Sequence, residues 1–377
     1  MKCRICGCEF FNEPLSSFNN MPAGAQNLPD KTSLKKDKGV NLKVCQCSGC
    51  GLVQLDSKPV SYYRDVIRAA AFSEEMKAFR LKQFADFVKK FSLKEKKVIE
   101  IGCGKGEYLS LMKECGVNVY GIEHLLESVK VCQKNDLDVS RGFVEKDSFE
   151  IAESPFDAFF ILNFLEHLPN PNLTLRGIYN NLAEGAVGLV EVPNFDMMLR
   201  QKLFSEFIPD HLLYFTKKTL AFALELNGFE ILECSNVWHD YIISAVVRRK
   251  KRLEIADFDQ YQAKLKDQLE GFLNQFEIKQ VAIWGAGHQS LAVLAIANLT
   301  DKIKYVVDSA TFKQGKYTPA THLPILAPEV LKTDPVEAII IMAASYSDEV
   351  VRIVRAEFDN KLKIAVLRDF GLEILKD

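Results

Sequence analysis

Apolar positions follow helical spacing in one segment of the chain and form short continuous runs in the segments after it. Met76, Phe79, Phe84 and Phe87 recur at the period of a helix, which predicts a helix over residues 73–91. The runs that follow are bounded by turn residues and rich in β-branched or aromatic side chains, as is typical of buried strands. These predicted strands lie at residues 97–101, 117–122, 156–162 and 187–192.

The pattern changes after the fourth of these strands. Residues 193–215 show no regular period and are predicted to be irregular, and a helix is predicted at 217–227. Two closing strands, near 229–234 and 241–248, have no helix between them. This predicts an antiparallel hairpin at the edge of an otherwise parallel sheet.

A second alternation of strands and helices begins after a charged amphipathic segment at 251–277, which predicts a connecting helix. An apolar strand there enters a glycine turn at 281–287, and a strand that ends in an acid follows at 303–308. Further buried strands are predicted at 338–342 and 363–367.

These patterns predict an α/β chain with two Rossmann-like domains behind a small N-terminal module. The predicted boundaries are 1–60 for the module, 61–250 for the first Rossmann-like domain and 251–377 for the second.

The composition excludes several classes of function. The 377 residues are 48% hydrophobic and 26% charged, and the net charge of -2 argues against a broad nucleic-acid-binding face. No apolar run approaches the ~20 residues of a membrane span, and cysteines from position 3 onward do not fit a signal peptide. We therefore expect a cytoplasmic protein whose partners are neither nucleic acids nor membranes.

Cysteines cluster near the N-terminus, which in a reducing compartment favours metal binding over disulfides. Two C-x-x-C turns, Cys3/Cys6 and Cys47/Cys50, can provide the four thiolates of a closed, structural zinc site. The Pro-, Asn-, Gly- and Lys-rich segment between them could not fold on burial alone, so Zn²⁺ would supply the missing stability. The alternative ligand set, with a less favourable C-x-C spacing, is Cys6, Cys8, Cys45 and Cys47.

The strongest motif is E-x-G-x-G-x-G at residues 100–106, followed about twenty residues on by a strand that ends in Glu123. Glycines permit a tight strand-to-helix turn and close approach of the backbone to a ligand. Glu123 is placed to accept hydrogen bonds from ribose hydroxyls. Glu100 can pair with the ammonium group of S-adenosylmethionine (SAM), which favours SAM over NAD or a purely structural turn. The first Rossmann-like domain is thus predicted to be a class I SAM methyltransferase sheet.

With these motifs in place, the chain resembles the three-domain sugar C-methyltransferases that act on nucleotide-linked keto-deoxysugars. The resemblance covers nearly the whole chain and combines a zinc module, a SAM loop, an acid–histidine segment and a terminal C-methyltransferase domain. The segments that carry it are 47–55, 100–106, 163–167, 191–194, 210–215, 285–287, 306–308, 313–315 and 323–325.

The resemblance implies that His211 is a general base and that Asp210 is its neighbouring acid. Family members usually have Glu in place of Asp210 and Tyr in place of Ile208. Tyr214 is a further catalytic candidate that would orient the substrate. The alternatives are a backbone-capping role for His211 and a core-aromatic role for Tyr214.

The cofactor is expected at the carboxyl ends of the strands. His167 is placed to reach the sulfonium end of SAM, with a structural bond as the alternative, and His124 is placed at the edge of the adenine. The candidate cofactor-binding residues are Glu100, Gly102, Cys103, Gly104, Glu123, His124, Asn163 and His167.

The candidate substrate-binding residues come from three separate segments. Tyr63 belongs to the aromatic-rich segment 62–72, which the resemblance assigns to sugar contact, and Asn194 follows the fourth strand. Gly285 and Gly287 form the glycine turn of the second domain, which is expected to face the nucleotide sugar. Ser290 stands where a dinucleotide fingerprint has its third glycine, so NAD binding and pure scaffolding are the alternatives there.

Methylation of carbon requires a nucleophilic carbon, and a carbon beside a ketone becomes one when it loses a proton. Imidazole is suited to that proton transfer. We therefore expect a SAM-dependent enzyme that C-methylates a nucleotide-activated keto-deoxysugar through an enolate. The alternatives are O-methylation of a sugar or polysaccharide precursor, and a non-catalytic SAM-binding regulatory or scaffold protein. The expected oligomeric state is a monomer or weak homodimer.

Overall fold

Three β-sheets organise the residues that the computed structural model describes, which are 2–26, 28–65, 73–358 and 361–376. They are distributed over two compact units, Met1–Arg252 and Leu253–Asp377. None of the helices among the described residues is long and apolar enough to cross a membrane.

Among its described residues, the first unit contains two sheets and six α-helices. Its strands are β1 (Ser16–Met21), β2 (Val40–Gln46), β3 (Val53–Leu55), β4 (Lys97–Ile101), β5 (Asn118–Glu123), β6 (Asp138–Arg141), β7 (Phe156–Leu162), β8 (Leu182–Pro193), β9 (Leu213–Tyr214), β10 (Phe229–Val237) and β11 (Ile242–Arg249). Its helices are α1 (Glu74–Lys90), α2 (Glu107–Glu114), α3 (Leu126–Lys134), α4 (Pro171–Asn180), α5 (Phe195–Gln201) and α6 (Lys217–Leu226), with short 3₁₀ helices at Leu165–His167 and Phe204–Glu206.

The large sheet of this unit has the strand order β10-β11-β8-β7-β4-β5-β6. Strands β4 to β8 pair in parallel, whereas β11 pairs antiparallel with both β8 and β10, which is the predicted hairpin edge. Side chains of β7 fill both faces, so that Phe159 and Phe160 lie in different hydrophobic clusters. Burial on both faces explains why these strands are continuous apolar runs.

The small sheet joins the N-terminal segment to the rest of the first unit. Its order is β1-β2-β3-β9, all antiparallel, and Val53 of β3 is paired with Tyr214 of β9. Ile5 and Leu52 share a buried cluster with Phe159 of the large sheet. The cysteine-bearing segment therefore has a hydrophobic core, which it shares with the large sheet.

Residues 193–215, predicted to be irregular, contain regular elements. Helix α5 begins there because the Asn194 side chain accepts hydrogen bonds from the backbone N–H groups of Asp196 and Met197. The stretch also contains the 3₁₀ helix Phe204–Glu206 and strand β9. The prediction was wrong here because a seven-residue helix and a two-residue strand are too short to show a period.

The second unit is built on one seven-stranded sheet with the order β14-β15-β13-β12-β16-β17-β18. Its strands are β12 (Val281–Trp284), β13 (Ile303–Val307), β14 (Lys316–Tyr317), β15 (Pro324–Leu326), β16 (Ala338–Ile341), β17 (Lys363–Arg368) and β18 (Gly371–Ile374). Its helices are α7 (Ala256–Leu273), α8 (His288–Ala297), α9 (Val330–Thr333) and α10 (Ser347–Glu357), with 3₁₀ helices at Thr300–Lys302 and Ala344–Tyr346. The five central strands are parallel and each edge strand is antiparallel, so the predicted second Rossmann-like domain is present.

Candidate active site

The glycine loop between β4 and α2 forms the tight turn that the motif predicts. Gly102 has a φ of +73°, and an added Cβ would lie 3.0 Å from the Phe164 ring, so glycine is required by both conformation and space. Glu123 at the end of β5 accepts hydrogen bonds from the Gly104 N–H at 2.9 Å and the Leu125 N–H at 2.8 Å. The acid is thus fixed against the loop at the carboxyl ends of β4 and β5.

A small pocket opens between this loop and an aromatic wall. Phe143 is the centre of that wall, because its ring makes edge contacts with Tyr63, His124 and Phe164. The pocket is lined by Arg64, Ile101, Gly102, Ile122, Glu123, His124, Gly142, Phe143, Val144 and Phe164. Neither Phe143 nor Phe164 was predicted as a site residue, although Phe164 lies inside segment 163–167, which carries part of the resemblance.

Of the segment expected to contact sugar, only residues 62–65 can be placed. Tyr63 packs on the aromatic wall, and the Arg64 guanidinium lies over the Tyr63 ring at 5.1 Å from its centroid. Residues 66–72 of that segment lie outside the described residues.

Two of the predicted cofactor residues are buried beside the loop. Glu100 is 1% exposed and Cys103 is inaccessible to solvent. Contact with the Cys132 thiol, together with burial, raises the pKa of Cys103, so this thiol stays protonated at neutral pH.

A cluster of titratable side chains lies just beyond β7. The 3₁₀ helix after this strand carries Glu166 and His167, and the Leu212 N–H donates to the Glu166 backbone carbonyl, which brings in His211. The rings of His167 and His211 meet edge to face with centroids 4.7 Å apart. His167 Nε2 lies 3.8 Å from Glu166 Oε1, and His167 Nδ1 lies 2.8 Å from the Asp210 backbone carbonyl.

Burial governs the protonation of this cluster. Burial, followed by the neighbouring His167, lowers the pKa of His211 to about 3, so its imidazole is neutral at pH 7. Burial also raises the pKa of Glu166 to about 8 and lowers the pKa of His167. No hydrogen bond to the His211 ring is found among the described residues. The lone pair of the neutral imidazole is therefore not engaged by a hydrogen bond among the described residues.

The Asp210 carboxylate is bound to the N-terminal part of the chain. It accepts hydrogen bonds from the Ala25 N–H at 2.8 Å and from the Tyr62 hydroxyl at 2.9 Å. Asp210 thus holds two distant segments around the histidine pair and contacts His167 through its backbone carbonyl.

Two further candidates have structural contacts. The Tyr214 hydroxyl accepts from the Ile208 N–H and donates to the Glu206 carbonyl, and its ring packs on Phe195 and Phe207, as the core-aromatic alternative describes. Asn194 is fully buried; it caps α5 and donates to the Asp240 carbonyl at 2.7 Å. Both polar atoms of the Asn194 side chain thus make hydrogen bonds within the described residues, and its contact with substrate stays a prediction.

The glycine turn of the second unit has the same construction as the first. Gly285 has a φ of +116°, and an added Cβ would lie 2.6 Å from the Met342 carbonyl oxygen. The Ala286 N–H donates to Asp308 at 2.7 Å, and Lys313 forms an ion pair with the same carboxylate at 2.8 Å. Gly287 precedes α8 as its N-cap.

The four predicted zinc ligands form one cluster. The sulfurs of Cys3 and Cys50 lie 3.6 Å apart, and those of Cys6 and Cys47 lie 3.3 Å apart. All four lie within 4.8 Å of one another. Tetrahedral zinc with Zn–S bonds of about 2.3 Å places sulfurs about 3.8 Å apart, so the cluster fits the ion. The backbone N–H groups of Gly49 and Cys50 point to the Cys47 sulfur, as donors that stabilise a thiolate.

Two family models match successive parts of the chain. Residues 76–234 match a methyltransferase domain, and residues 245–366 match a C-methyltransferase C-terminal domain.

The curated relatives include one that is similar along the chain. The C-methyltransferase NovU of Streptomyces niveus is 22% identical, over 93% of this chain and 91% of its own length. A tRNA U34 carboxymethyltransferase of Aliarcobacter butzleri is 29% identical over 38% of this chain and 50% of its own length. The crystal structure of a SAM-dependent methyltransferase from Clostridium acetobutylicum aligns with 50% of this chain and with 96% of its own length, at 12% identity and a TM-score of 0.39.

The domain matches, the full-length relative and the glycine loop agree with one another. The chain is a SAM-dependent methyltransferase in which a methyltransferase domain precedes a C-methyltransferase C-terminal domain and an N-terminal segment carries a four-cysteine cluster.

Proposed function

We propose that this methyltransferase transfers a methyl group from SAM to the carbon beside a ketone in a nucleotide-linked deoxysugar. The observation that supports this most is the position of His211 at the end of β7, where its ring meets that of His167 edge to face with centroids 4.7 Å apart. The similarity to a C-methyltransferase along the chain supports carbon as the acceptor.

The glycine loop and the acid of β5 are the proposed cofactor site. Glu123 would turn from the loop N–H groups to the ribose hydroxyls, and Glu100 would pair with the ammonium group. The aromatic wall around Phe143 would enclose the adenine, with His124 at its edge. Bound SAM supplies a methyl group on a positively charged sulfur.

In the proposed mechanism, His211 accepts a proton from the carbon beside the ketone, and the electrons of that C–H bond move onto the carbonyl oxygen as an enolate. The enolate carbon then forms a bond to the methyl carbon, while the C–S bond breaks and sulfur keeps its electron pair. The imidazolium of His211 next to the enolate offsets part of the negative charge. His167, fixed by the Asp210 carbonyl, sets the position of the His211 ring by their edge contact.

Deuterium exchange tests carbon as the acceptor. A nucleotide-linked keto-deoxysugar incubated in D₂O with the protein, without SAM, should gain deuterium at the carbon beside the ketone, as seen by mass spectrometry. The same incubation with His211→Asn should leave the sugar unlabelled. Methyl transfer to a sugar without any such exchange would contradict the enolate and favour O-methylation. SAM binding without turnover over a panel of nucleotide sugars would favour a regulatory protein.

We also propose that the cysteine cluster holds one structural zinc ion. Elemental analysis should find one zinc per chain, and Cys3→Ser or Cys50→Ser should lose it, since three thiolates bind the ion more weakly than four. Cys8→Ser is the matched control, because Cys8 is exposed and lies outside the cluster. Full zinc occupancy in a Cys3/Cys50 double variant would show that the ligand set is different.

A further inference from the structure

A second group of metal-ligating side chains lies at the end of β7, far along the chain from the cysteine cluster. Glu166, His167 and His211 each offer one ligand atom, and these three atoms lie within 4.8 Å of one another. Two imidazoles and one carboxylate are a donor set that divalent transition metals prefer.

The hydrogen bonding of His167 prepares it to bind a cation. Its Nδ1 lies 2.8 Å from the Asp210 backbone carbonyl, and because a carbonyl only accepts, Nδ1 carries the proton. Nε2 is then left with a lone pair, and it faces the Glu166 carboxylate at 3.8 Å. Metal-binding histidines are usually held in this way, with the second ring nitrogen donating to a carbonyl or carboxylate.

Buried oxygens on the same segment lack hydrogen-bond partners. Glu166 is 1% exposed, and its Oε2 has no partner among the residues that the structure describes. The side-chain oxygen of Asn163, three positions earlier, is also buried and without a partner there. Buried acceptors are normally satisfied, so an unpartnered oxygen of Glu166, whose carboxylate lies within 4.8 Å of ring nitrogens of both histidines, indicates a place for a cation.

We propose that Glu166, His167 and His211 form a binding site for a divalent transition-metal ion. Three ligands bound at about 2.0–2.2 Å lie roughly 3.4 Å apart around a tetrahedral ion, so small side-chain rotations would close the cluster. Three protein ligands leave at least one coordination position open. This site is separate from the proposed structural zinc, whose four thiolates close its shell.

Occupation of this site also regulates the reaction, and this second step rests on the proposed function. A His211 nitrogen that donates its lone pair to a metal cannot accept a proton from the substrate. The metal therefore inhibits enolate formation.

Cobalt binding tests the site directly. Zinc-loaded protein dialysed against Co²⁺ should bind one Co²⁺ per chain in addition to its zinc, with weak visible d–d bands and no intense sulfur-to-cobalt charge-transfer band. Glu166→Gln and His211→Asn should lose this Co²⁺ while retaining SAM affinity, and Glu166→Asp should retain it more weakly. His239→Asn is the matched control, because His239 is exposed and pairs with Glu75 instead.

Two results would overturn the metal site: no Co²⁺ beyond the cysteine cluster in the wild type, or unchanged Co²⁺ binding in variants that still bind SAM. Turnover separates the two steps of the proposal. Co²⁺ at saturation should lower turnover at least about 10²-fold, the lower end for losing a positioned base, and dialysis should restore it. If Co²⁺ binds at this cluster and turnover is unchanged, the base assignment of His211 fails and the metal site stands.

Discussion

Both units contain a glycine turn between a strand and a helix, but the side chains around the two turns differ. In the first, the Gly104 N–H donates to Glu123, and in the second, the Ala286 N–H donates to Asp308. Glu123 has no cationic partner among the described residues, whereas Asp308 is neutralised by Lys313. Both units thus share the backbone turn. We propose that Glu123 of the first unit can give up its hydrogen bonds to the loop N–H groups and accept hydrogen bonds from ribose hydroxyls instead, whereas Asp308 stays paired with Lys313.

The units also differ in what lies next to the turn. The edge that carries the first turn also carries the half-buried pair His167 and His211, whose rings are in contact. At the second turn, the histidine that follows Gly287 is His288, which begins α8 and is exposed. A glycine turn is present in both units, so we propose that the titratable side chains beside the first turn, and not the turn alone, mark the active site.

The largest effect is expected from the histidines. His211→Asn should lower turnover by about 10²–10⁴, the range for losing a positioned acid–base group, and should leave SAM affinity unchanged. His288→Asn, the corresponding change beside the second glycine turn, should leave both quantities unchanged. Steady-state kinetics and calorimetry with SAM measure the two quantities. Near-wild-type turnover in His211→Asn would remove the contrast between the two turns and exclude His211 as the base.

A second test replaces each of the two acids, Glu123 and Asp308, by alanine. Glu123→Ala should raise the Kd for SAM about 10–100-fold, because hydrogen bonds to a charged group contribute about 1.5–3 kcal/mol. Asp308→Ala should leave the SAM Kd unchanged and should instead lower the free energy of unfolding of the second unit, since Lys313 loses its partner. Equal weakening of SAM binding by both changes would show that the acids are equivalent and that the comparison is wrong.

How much the sequence could predict depends on how local each feature is. Strand β7 was predicted at 156–162 and spans Phe156–Leu162, because a strand buried on both faces is apolar throughout. By contrast, β9 is two residues long and exists through pairing with β3, which is more than 150 positions away in the chain. Local patterns contain no signal for such a partner.

The same distinction holds at the candidate site. The glycine loop and the cysteine pairs are short motifs with defined spacing, so their places could be proposed from the sequence. The contacts of the Asp210 carboxylate could not, because Ala25 and Tyr62 lie 185 and 148 positions away. Glu166 was part of a noted motif, but its grouping with His211 depends on the backbone bond from Leu212.

The smallest effect is expected from the contacts that the Asp210 carboxylate makes with Ala25 and Tyr62, which are distant in the sequence. These contacts belong to the first unit, where they surround the histidine pair. Tyr62→Phe removes a hydroxyl that donates to Asp210 at 2.9 Å, and it should lower the free energy of unfolding by about 1.5 kcal/mol, as for one hydrogen bond to a carboxylate. Tyr63→Phe is the matched control, because the ring and cation–π contacts described for the Tyr63 side chain do not use its hydroxyl. Denaturant unfolding of both variants measures the difference. Since Ala25 still donates to Asp210, the Asp210 backbone carbonyl should continue to hold His167, and SAM affinity should not change. Equal loss of stability in the two variants would mean that the hydroxyl of Tyr62 contributes nothing specific and that Asp210 does not tie this segment to the histidine pair.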